Sequence, residues 1–299
     1  MSRQLEVAGL ALAGYCVMNS AFVPAVAKLT TSLASGITIA LFTSFFAAIV
    51  CLALMAWRGE LHLLFVRRDL ATLIAVGALG TGVAFVLFYS GAKRVTAIET
   101  ALCVQTEPIY SLIGTRLLLG YAMPKRRIAA VVAIAAGILI AIGTQPTSGW
   151  LGLGLLLATP LAWQTSHWIA LKRLEVFHPL QLSGARYFYG TFALALAWLL
   201  LDGASGLPEV GQVASFVPRV ALQGMVLSFG GTFAWYGAVK RLDLTRATAI
   251  VVPSAPIVSL VVSYLVLGEQ VTARQAVGFA LTAIGVLTFA LAPSVVTHE

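Results

Sequence analysis

The sequence predicts an all-α polytopic membrane protein in which ten transmembrane helices form two inverted five-helix repeats around a central cavity. Three observations predict this fold class: the composition, an internal duplication, and the distribution of charge between apolar stretches. Of the 299 residues, 60% are hydrophobic and 10% are charged, whereas ordinary soluble domains carry about a quarter charged residues. A soluble fold could not cover so much apolar surface, so we expect lipid to surround the chain.

The duplication is visible as two pairs of matching segments. Residues 88–94 (FYSGAKR) recur 147 positions later as residues 235–241 (WYGAVKR). Residues 108–112 (PIYSL) recur 148 positions later as residues 256–260 (PIVSL). Two diverged copies of one membrane unit are common among secondary transporters.

Apolar stretches long enough to cross the hydrocarbon, which needs about 20 mostly apolar residues, occur ten times. We predict spans at residues 6–27, 36–57, 70–91, 97–119, 126–144, 150–171, 180–201, 218–239, 246–267 and 274–292. Short connections rich in glycine, proline and charge separate them. We therefore predict a first repeat over residues 1–146 and a second over residues 147–299, joined in one integrated membrane domain.

Charge between the spans predicts the orientation. If the N-terminus is cytoplasmic, twelve basic side chains lie inside and five outside, which the positive-inside rule favours. The inside set is Arg3, Arg58, Arg67, Arg68, Lys125, Arg126, Arg127, Lys172, Arg173, Lys240, Arg241 and Arg246, and the outside set is Lys28, Lys93, Arg94, Arg219 and Arg274. Both termini then face the cytoplasm, in a multi-pass protein of the inner (plasma) membrane. Five spans per copy, an odd number, make the two copies inverted.

The charge and cysteine content excludes several classes of site. The net charge is +8, but the basic residues lie between spans and form no stripe with aromatics, so we expect no nucleic-acid partner. Cys16, Cys51 and Cys103 each lie in an apolar stretch without metal-binding spacing, which indicates small buried hydrophobes. We expect no cofactor and no metal. We interpret the first apolar stretch as a retained helix, because no small-residue cleavage site follows it.

These patterns resemble the drug/metabolite transporter superfamily, of the EamA type, over essentially the whole chain. The resemblance rests on Pro-x-x-Ser at residues 108–111 and 256–259, on Leu-Gly-Glu at residues 267–269, and on Arg186 in the seventh span. The first copy departs from this pattern with Gly-Tyr at residues 120–121, where the second has Gly-Glu. Within the superfamily the chain looks most similar to bacterial exporters of aromatic amino acids. The resemblance implies export of amino acids or related metabolites.

Candidate substrate-binding residues begin in the first two spans. Tyr15 and Asn19 are four residues apart near the middle of the first span and therefore share a helix face. Thr43 and Phe46 hold a similar central place in the second span. Polar groups inside a membrane tend to face a cavity or a neighbouring helix. Both interpretations of these four residues stay open.

The third span contains a glycine-rich run, residues 77–82 (GALGTG), with Gly80 at its centre. Small residues allow close helix packing, and they also expose backbone and permit bending. We include Gly80 among the candidate substrate contacts, with close packing as the alternative. The run is not a phosphate-binding loop, because no strand precedes it.

The fourth span carries Gln105 and Glu107 directly before Pro108. An intramembrane carboxylate suits a proton or a substrate ammonium, and a hydrogen-bonded carboxyl packed between helices is the alternative. Pro108 removes a helical hydrogen bond, as Pro253 and Pro256 do in the ninth span. We predict that these three prolines are hinges, with static kinks as the alternative.

The sixth span offers Trp163 and His167 on one face, four residues apart. Trp163 lies about 20 Å into the span, at about 1.5 Å per residue, which is too deep for an interfacial aromatic belt. An aromatic surface beside hydrogen-bonding groups suits an amphipathic solute. Arg186, in the seventh span, has two interpretations: it pairs with a substrate carboxylate, or it snorkels to the interface.

Taken together, the duplicated membrane architecture predicts a secondary transporter that works by alternating access, and the resemblance implies that it exports aromatic and other neutral amino acids or related metabolites. The expected partners are a small-molecule substrate, the lipid bilayer and, as a candidate, protons; we expect a monomer. The alternative is a broad-specificity exporter of cationic drugs, with a channel or a membrane-embedded enzyme further behind. An enzyme would need an acid–base or nucleophile constellation, and the four histidines have no convincing partner motif.

Overall fold

The computed structural model describes residues 3–119, 124–143, 149–174, 176–242 and 244–292, and within these residues the chain is helical with no β-strand. The α-helices are α1 (Arg3–Thr31), α2 (Gly36–Trp57), α3 (Leu70–Gly77), α4 (Ala84–Arg94), α5 (Ala97–Cys103), α6 (Glu107–Leu119), α7 (Lys125–Ile142), α8 (Trp150–Arg173), α9 (Pro179–Leu201), α10 (Val213–Leu222), α11 (Gly231–Leu242), α12 (Leu244–Leu267) and α13 (Ala273–Ala290). Short 3₁₀ helices cover Leu61–Phe65, Val104–Thr106, Gly203–Gly206 and Val210–Gln212.

Several of these helical stretches are long and apolar enough to cross a bilayer. Within the described residues there are six: Gln4–Thr31, Gly36–Trp57, Leu70–Arg94, Pro179–Leu201, Val210–Trp235 and Ala273–Ala290. A shorter apolar helix covers Ser254–Leu267. The all-helical membrane fold class is therefore confirmed. Helix is also present in each of the other predicted spans, and the arrangement of ten spans in two repeats stays a prediction.

Two of the apolar stretches contain a π-helical turn in the middle. The first π segment (Ala78–Val83) lies between α3 and α4, and the second π segment (Gln223–Gly230) lies between α10 and α11. Adding the repeat offset of 147 to the first segment gives residues 225–230, which fall inside the second. Single π turns within α-helices occur often at functional sites.

The fourth predicted span, 97–119, is not one helix. The Val104–Thr106 turn separates α5 from α6, and there the Glu107 N–H donates to the Val104 carbonyl with 3₁₀ spacing. Pro108 has no N–H to offer that carbonyl, so the α-helical ladder cannot continue through this point. The ninth predicted span behaves differently, because α12 runs without interruption through Pro253 and Pro256.

The described residues form two compact units, and each contains segments from both halves of the chain. The first unit comprises the described residues within Met1–Ala25, Thr96–Trp150 and Ala234–Glu299, and the second unit those within Val26–Val95 and Leu151–Phe233. These units are defined by packing and not by duplication. The prediction of repeats at 1–146 and 147–299 is therefore a separate statement and stays a prediction.

In the first unit, small residues bring α7 and α13 close together. A side chain at Gly137 would collide with Thr282 Oγ1 and lie 2.6 Å from the Gly278 carbonyl. A side chain at Gly285 would lie 2.8 Å from Ile134 Cγ1 and 2.9 Å from the carbonyl of Ala130. Glycine at both positions therefore permits backbone contact between the two helices, as is typical of membrane helix pairs.

In the second unit, α2 and α9 form the centre, and each lies against one π segment. A Cβ at Gly77 would come within 2.6 Å of Tyr189 Cβ and 2.9 Å of the Gly190 nitrogen on α9. On α2, Thr43 approaches Gly224, the first glycine of the second π segment, so closely that a Cβ there would collide with the Thr43 carbonyl. A buried apolar cluster lies at one end of this unit and includes Met55, Leu64, Leu73, Val76, Leu174, Leu180 and Ala185.

Candidate functional site

The predicted site residues fall into two groups, one in each unit. The second unit holds Thr43 and Phe46 on α2, Gly80 in the first π segment, and Trp163 and His167 on α8; the first unit holds Tyr15, Asn19, Gln105, Glu107, Pro108, Pro253 and Pro256. In the second unit, Ser166 and Arg186 lie against Gly80, and Trp163 and His167 lie on the same helix as Ser166.

Gly80 and Arg186 form the polar centre of the second unit. The Arg186 Nη2 donates a hydrogen bond of 2.8 Å to the Gly80 carbonyl. The Arg186 Nε is buried and has no hydrogen-bond partner among the described residues. A guanidinium has five N–H donors, so this arginine retains unused donor capacity inside a membrane protein.

Ser166 completes this centre from α8. Its hydroxyl donates a hydrogen bond of 3.0 Å to the Val76 carbonyl, at the end of α3. A Cβ at Gly80 would collide with Ser166 Oγ and lie 3.1 Å from the Arg186 Nε. Glycine at position 80 is thus what allows α8 and the arginine to approach the backbone of the π segment.

His167 and Trp163 extend the centre along α8. His167 follows Ser166 in the chain and lies within electrostatic range of Arg186. Trp163 is one helical turn away, with its ring centroid 6.1 Å from that of Phe88. Phe88 in turn contacts Tyr89 edge to face, at 5.0 Å between centroids. A cationic end and an aromatic end therefore lie one turn of α8 apart.

Thr43 lies at the aromatic end and is fully buried. Its Oγ1 faces the hydroxyl of Tyr89, which also lies near Ser228 and Tyr187, although Thr43 Oγ1 makes no hydrogen bond of ordinary geometry to the described residues. Tyr89 contacts Phe85 edge to face at 5.5 Å. Buried hydroxyls beside aromatic rings can orient a solute that is largely apolar.

Phe46 has a packing environment. It is half-buried, contacts Phe45 edge to face at 5.6 Å, and presents its Cβ to Gly224. The structure places it next to the second π segment, whereas Trp163, His167 and Gly80 gather at the first.

Four of the seven buried polar side-chain atoms that have no partner among the described residues lie in the second unit, on Thr43, Thr81, Arg186 and Gln223. Gln223, which is 1% exposed, accepts a 3.0 Å hydrogen bond from Thr30 through Oε1, while its Nε2 has no partner among the described residues. Thr81 Oγ1, in the first π segment, is likewise buried and has no partner among the described residues. Such atoms are costly unless water or a ligand reaches them.

The candidates of the first unit lie on α1 and around the break at Val104–Thr106. Asn19 is buried, with 7% of its surface exposed, whereas Tyr15 is 39% exposed. Gln105 and Glu107 are both half-buried, on either side of the buried Thr106. The Thr106 hydroxyl returns a 2.8 Å hydrogen bond to the Cys103 carbonyl, which stabilises the turn.

The predicted hinge residues differ in their effect on the backbone. Pro108 follows a real interruption of the helix, and Pro256 is buried within the continuous α12. One and two turns further along α12, Ser259 and Ser263 have buried hydroxyls without partners among the described residues. The hinge assignment of Pro108, Pro253 and Pro256 stays a prediction.

The comparisons with known proteins assign the family. Residues 7–143 and, separately, residues 150–291 match the EamA-like transporter family. The chain belongs to the EamA-like transporter family. This confirms the resemblance noted from Pro-x-x-Ser, Leu-Gly-Glu and Arg186. Family members and the named relatives are transporters and not enzymes, and membership implies a multi-pass membrane protein with a small-molecule substrate.

Individual relatives of this EamA-like transporter include one with a substrate in its name. A "Probable terminal-alkyne amino-acid exporter" of Streptantibioticus cattleyicolor is 30% identical over 74% of this chain and 73% of its own length. An "Uncharacterized transporter" of Archaeoglobus fulgidus is 20% identical, over 73% of this chain and 77% of that protein. A solved crystal structure, 17% identical, covers 96% of both chains with a TM-score of 0.66 and shares the fold.

Two residues of the candidate site have roles that the sequence does not predict. Ser166 stands between Thr165 and His167 and has no distinguishing spacing. For Arg186, an intramembrane charge, snorkelling to the interface is the more economical interpretation of the sequence. In the structure the Arg186 guanidinium donates to the Gly80 carbonyl within the second unit, and a role in substrate binding stays a prediction. The glycine run at residues 77–82 is the sequence feature that could have indicated these contacts, because a residue without a side chain leaves its backbone accessible to Ser166 and Arg186.

Proposed function

We propose that this EamA-like transporter is a secondary transporter that exports amino acids, aromatic and other neutral ones, or related small metabolites. The observation that carries the proposal is the placement of Trp163, against Phe88 and one helical turn from His167. This arrangement offers an aromatic surface next to polar groups, which suits an amphipathic amino acid. The amino-acid exporter among the relatives supports the same substrate class.

We propose alternating access between two inverted five-helix repeats of a ten-span chain as the mechanism. Contacts that recur with exchanged partners support it. Gly137 lies against Gly278 and Thr282, and Gly285 lies against Ala130 and Ile134. An offset of 148 converts each of these contacts into the other. An approximate two-fold relation of the repeats would produce this reciprocity, and inverted repeats of this kind support rocking transport.

A second reciprocal contact lies in the other unit and supports the same relation. Ser44 Oγ and Thr191 Oγ1 share a hydrogen bond of 2.8 Å, and the two residues are 147 positions apart. Two equivalent residues touch one another only close to a two-fold axis. In the proposed mechanism, the substrate cavity lies at such an axis, and Pro108, Pro253 and Pro256 act as hinges.

The remaining parts of the proposal concern the surroundings of the transporter. We place the protein in the inner (plasma) membrane as a monomer with both termini in the cytoplasm, on the basis of the charge between the spans.

We assign proton coupling to Glu107, the half-buried acid beside Pro108, because ionisable groups within spans commonly serve as proton relays. A proton gradient should then change the rate of export.

Transport by the purified protein in sealed liposomes tests this function. We expect uptake of labelled phenylalanine, tryptophan and leucine above protein-free liposomes, and a change in rate when a pH gradient is imposed. Trp163→Ala should lower flux of the aromatic substrates about tenfold, by loss of about 1–3 kcal/mol of ring contact. Trp57→Ala is the matched control, because Trp57 is 84% exposed at the end of α2.

Different outcomes remove different parts of the proposal. If a broad panel of metabolites shows no flux, the exporter assignment is wrong. If organic cations move and amino acids do not, the protein is an exporter of cationic drugs. Equal kinetics of Trp163→Ala and Trp57→Ala would remove Trp163 from the site.

A further inference from the structure

We infer that Arg186, held over the backbone of the first π segment, binds the carboxylate of the transported amino acid. This inference rests on the proposed export of amino acids and adds a recognition site for one end of the substrate. Its components are the Arg186 guanidinium, the Gly80 backbone and the hydroxyl of Ser166, all within the second unit.

The first argument is the energy of an isolated intramembrane charge. Arg186 lies on α9, within one of the apolar stretches long enough to cross a bilayer. Its only hydrogen-bond partner in the described part of the chain is a neutral carbonyl. A charge at membrane depth is expensive and is normally paired or faces a water-filled cavity. A negatively charged substrate group supplies the missing partner during transport.

The second argument is the direction of the free donors. Gly80 uses one N–H of Nη2, while the Nε of the same guanidinium is buried and unused. Nε and Nη2 form one edge of the guanidinium, which is the edge that carboxylates bind with two parallel hydrogen bonds. The bond to Gly80 therefore orients the guanidinium and leaves donors available for an anion.

The third argument is the close approach of the guanidinium to the backbone of the π segment. A Cβ at position 80 would collide with Ser166 Oγ and lie 3.1 Å from the Arg186 Nε. Glycine at this position therefore lets the guanidinium and the serine hydroxyl lie directly against the backbone. Ser166 donates its hydrogen to the Val76 carbonyl, so it positions α8 and does not bind the anion.

The fourth argument is the distance to the aromatic end. Trp163 precedes Ser166, the residue of α8 that borders Gly80 beside Arg186, by three residues, or about 4.5 Å along the helix at about 1.5 Å per residue. This length is comparable to the separation of the carboxylate and the ring in an aromatic amino acid. A substrate with its carboxylate at Arg186 would then direct its side chain toward the rings of Trp163 and Phe88.

A purely structural tie between α9 and the first π segment is the competing role for Arg186. The two roles differ in their dependence on the substrate. A structural role would change the transport of every substrate equally, because Arg186 would act through the packing of α9 against the π segment. A carboxylate site would affect only substrates that carry the carboxylate.

The test compares phenylalanine with phenylalaninamide, which keeps the ring and the amine but lacks the negative charge. Wild-type protein in sealed liposomes should transport phenylalanine at least tenfold more efficiently than the amide, measured as kcat/KM. Arg186→Gln should remove most of this preference by lowering phenylalanine transport at least tenfold, with amide transport changed by less than about twofold. Arg186→Lys should retain part of the preference, since it keeps the charge without the planar fork. Arg219→Gln, at an exposed site on α10, is the control for loss of a positive charge.

The outcomes separate this inference from the proposed function. Equal wild-type transport of phenylalanine and its amide overturns the carboxylate site and leaves amino-acid export intact. Absence of transport for both compounds and for the remaining amino acids overturns the function itself. A parallel loss of both substrates in Arg186→Gln assigns the residue a structural role and overturns the inference. The wild-type comparison of phenylalanine with its amide tests the carboxylate site even if Arg186→Gln does not fold.

Discussion

The two π segments share their packing and differ in their chemistry. Gly77, at the start of the first, lies against Tyr189 and Gly190, and Gly224, in the second, lies against Thr43 and Phe46. In the part of the chain that the structure describes, the Arg186 guanidinium donates to the backbone of the first segment, at the Gly80 carbonyl. An offset of 147 relates Arg186 to Ile39, which is fully buried and apolar. The scaffold contact is thus present twice, whereas the arginine stands in one copy.

This difference shows which features a duplicated fold needs in both copies. Close approach of two helices requires the absence of a side chain, and glycine provides this at both π segments. A substrate is not symmetric, so its recognition requires each polar group in one copy only. Differences between the copies at buried polar positions are therefore better indicators of the site than their similarities.

The largest expected effect tests the shared packing. Gly77→Ala and Gly224→Ala should each destabilise the protein, by about 1–3 kcal/mol, because the added Cβ meets backbone atoms that cannot move aside cheaply. Both should lower the Tm in detergent, measured by a thermal shift assay. Gly154→Ala is the control, because no heavy atom lies within 4 Å of its Cβ position. A large loss in one glycine variant and none in the other would show that the two segments do not pack alike.

An intermediate effect is expected at the polar centre beside the first segment. Gly80→Ala should reduce amino-acid flux several-fold, because its Cβ collides with Ser166 Oγ and comes close to the Arg186 Nε. Adding Ser166→Ala removes the nearest colliding atom and should restore part of the flux. The measurement is initial transport rate in liposomes at matched protein content. A double variant as impaired as Gly80→Ala alone would contradict this account.

The smallest effect concerns the hydrogen bond between equivalent residues. Ser44→Ala and Thr191→Val each remove one side of the 2.8 Å contact, and a coupling of about 0.5–1.5 kcal/mol is expected for one buried hydrogen bond. A double-mutant cycle on the free energy of unfolding measures the coupling directly. Additive single effects would show that the two hydroxyls contribute independently, and would remove this contact as support for a two-fold relation.

The composition was sufficient to predict the helical membrane fold, and the resemblance carried by Pro-x-x-Ser, Leu-Gly-Glu and Arg186 was sufficient to predict the family. Hydrophobicity and the spacing of motif residues are local properties of the chain, so the sequence alone is enough to find them. The π turns were not predicted, because a single extra residue in a helical turn leaves no signature in a uniformly apolar stretch. The grouping of segments from both halves into each compact unit also depends on contacts between distant residues, which no local pattern contains.

For the candidate site, residue types were predictable and their partners were not. Gly80, His167 and Trp163 were selected for glycine content, aromaticity and depth, and the structure gathers them around the first π segment. Their roles in binding stay predictions. Ser166 and the Gly80–Arg186 hydrogen bond were not predicted, since both depend on which face of α9 meets the π segment. Pro108 was identified as a weak point of its helix, and the backbone is interrupted directly before it.

The loop that follows α12 has a mechanical consequence for this interruption. Glu269 accepts hydrogen bonds from the backbone nitrogens of Ala97, at 2.9 Å, and Ile98, at 3.1 Å. The carboxylate thereby clamps the first turn of α5 to a segment that leads within four residues into α13. Because α5 is held at its start, bending at the Val104–Thr106 turn would move α6 and leave α5 in place.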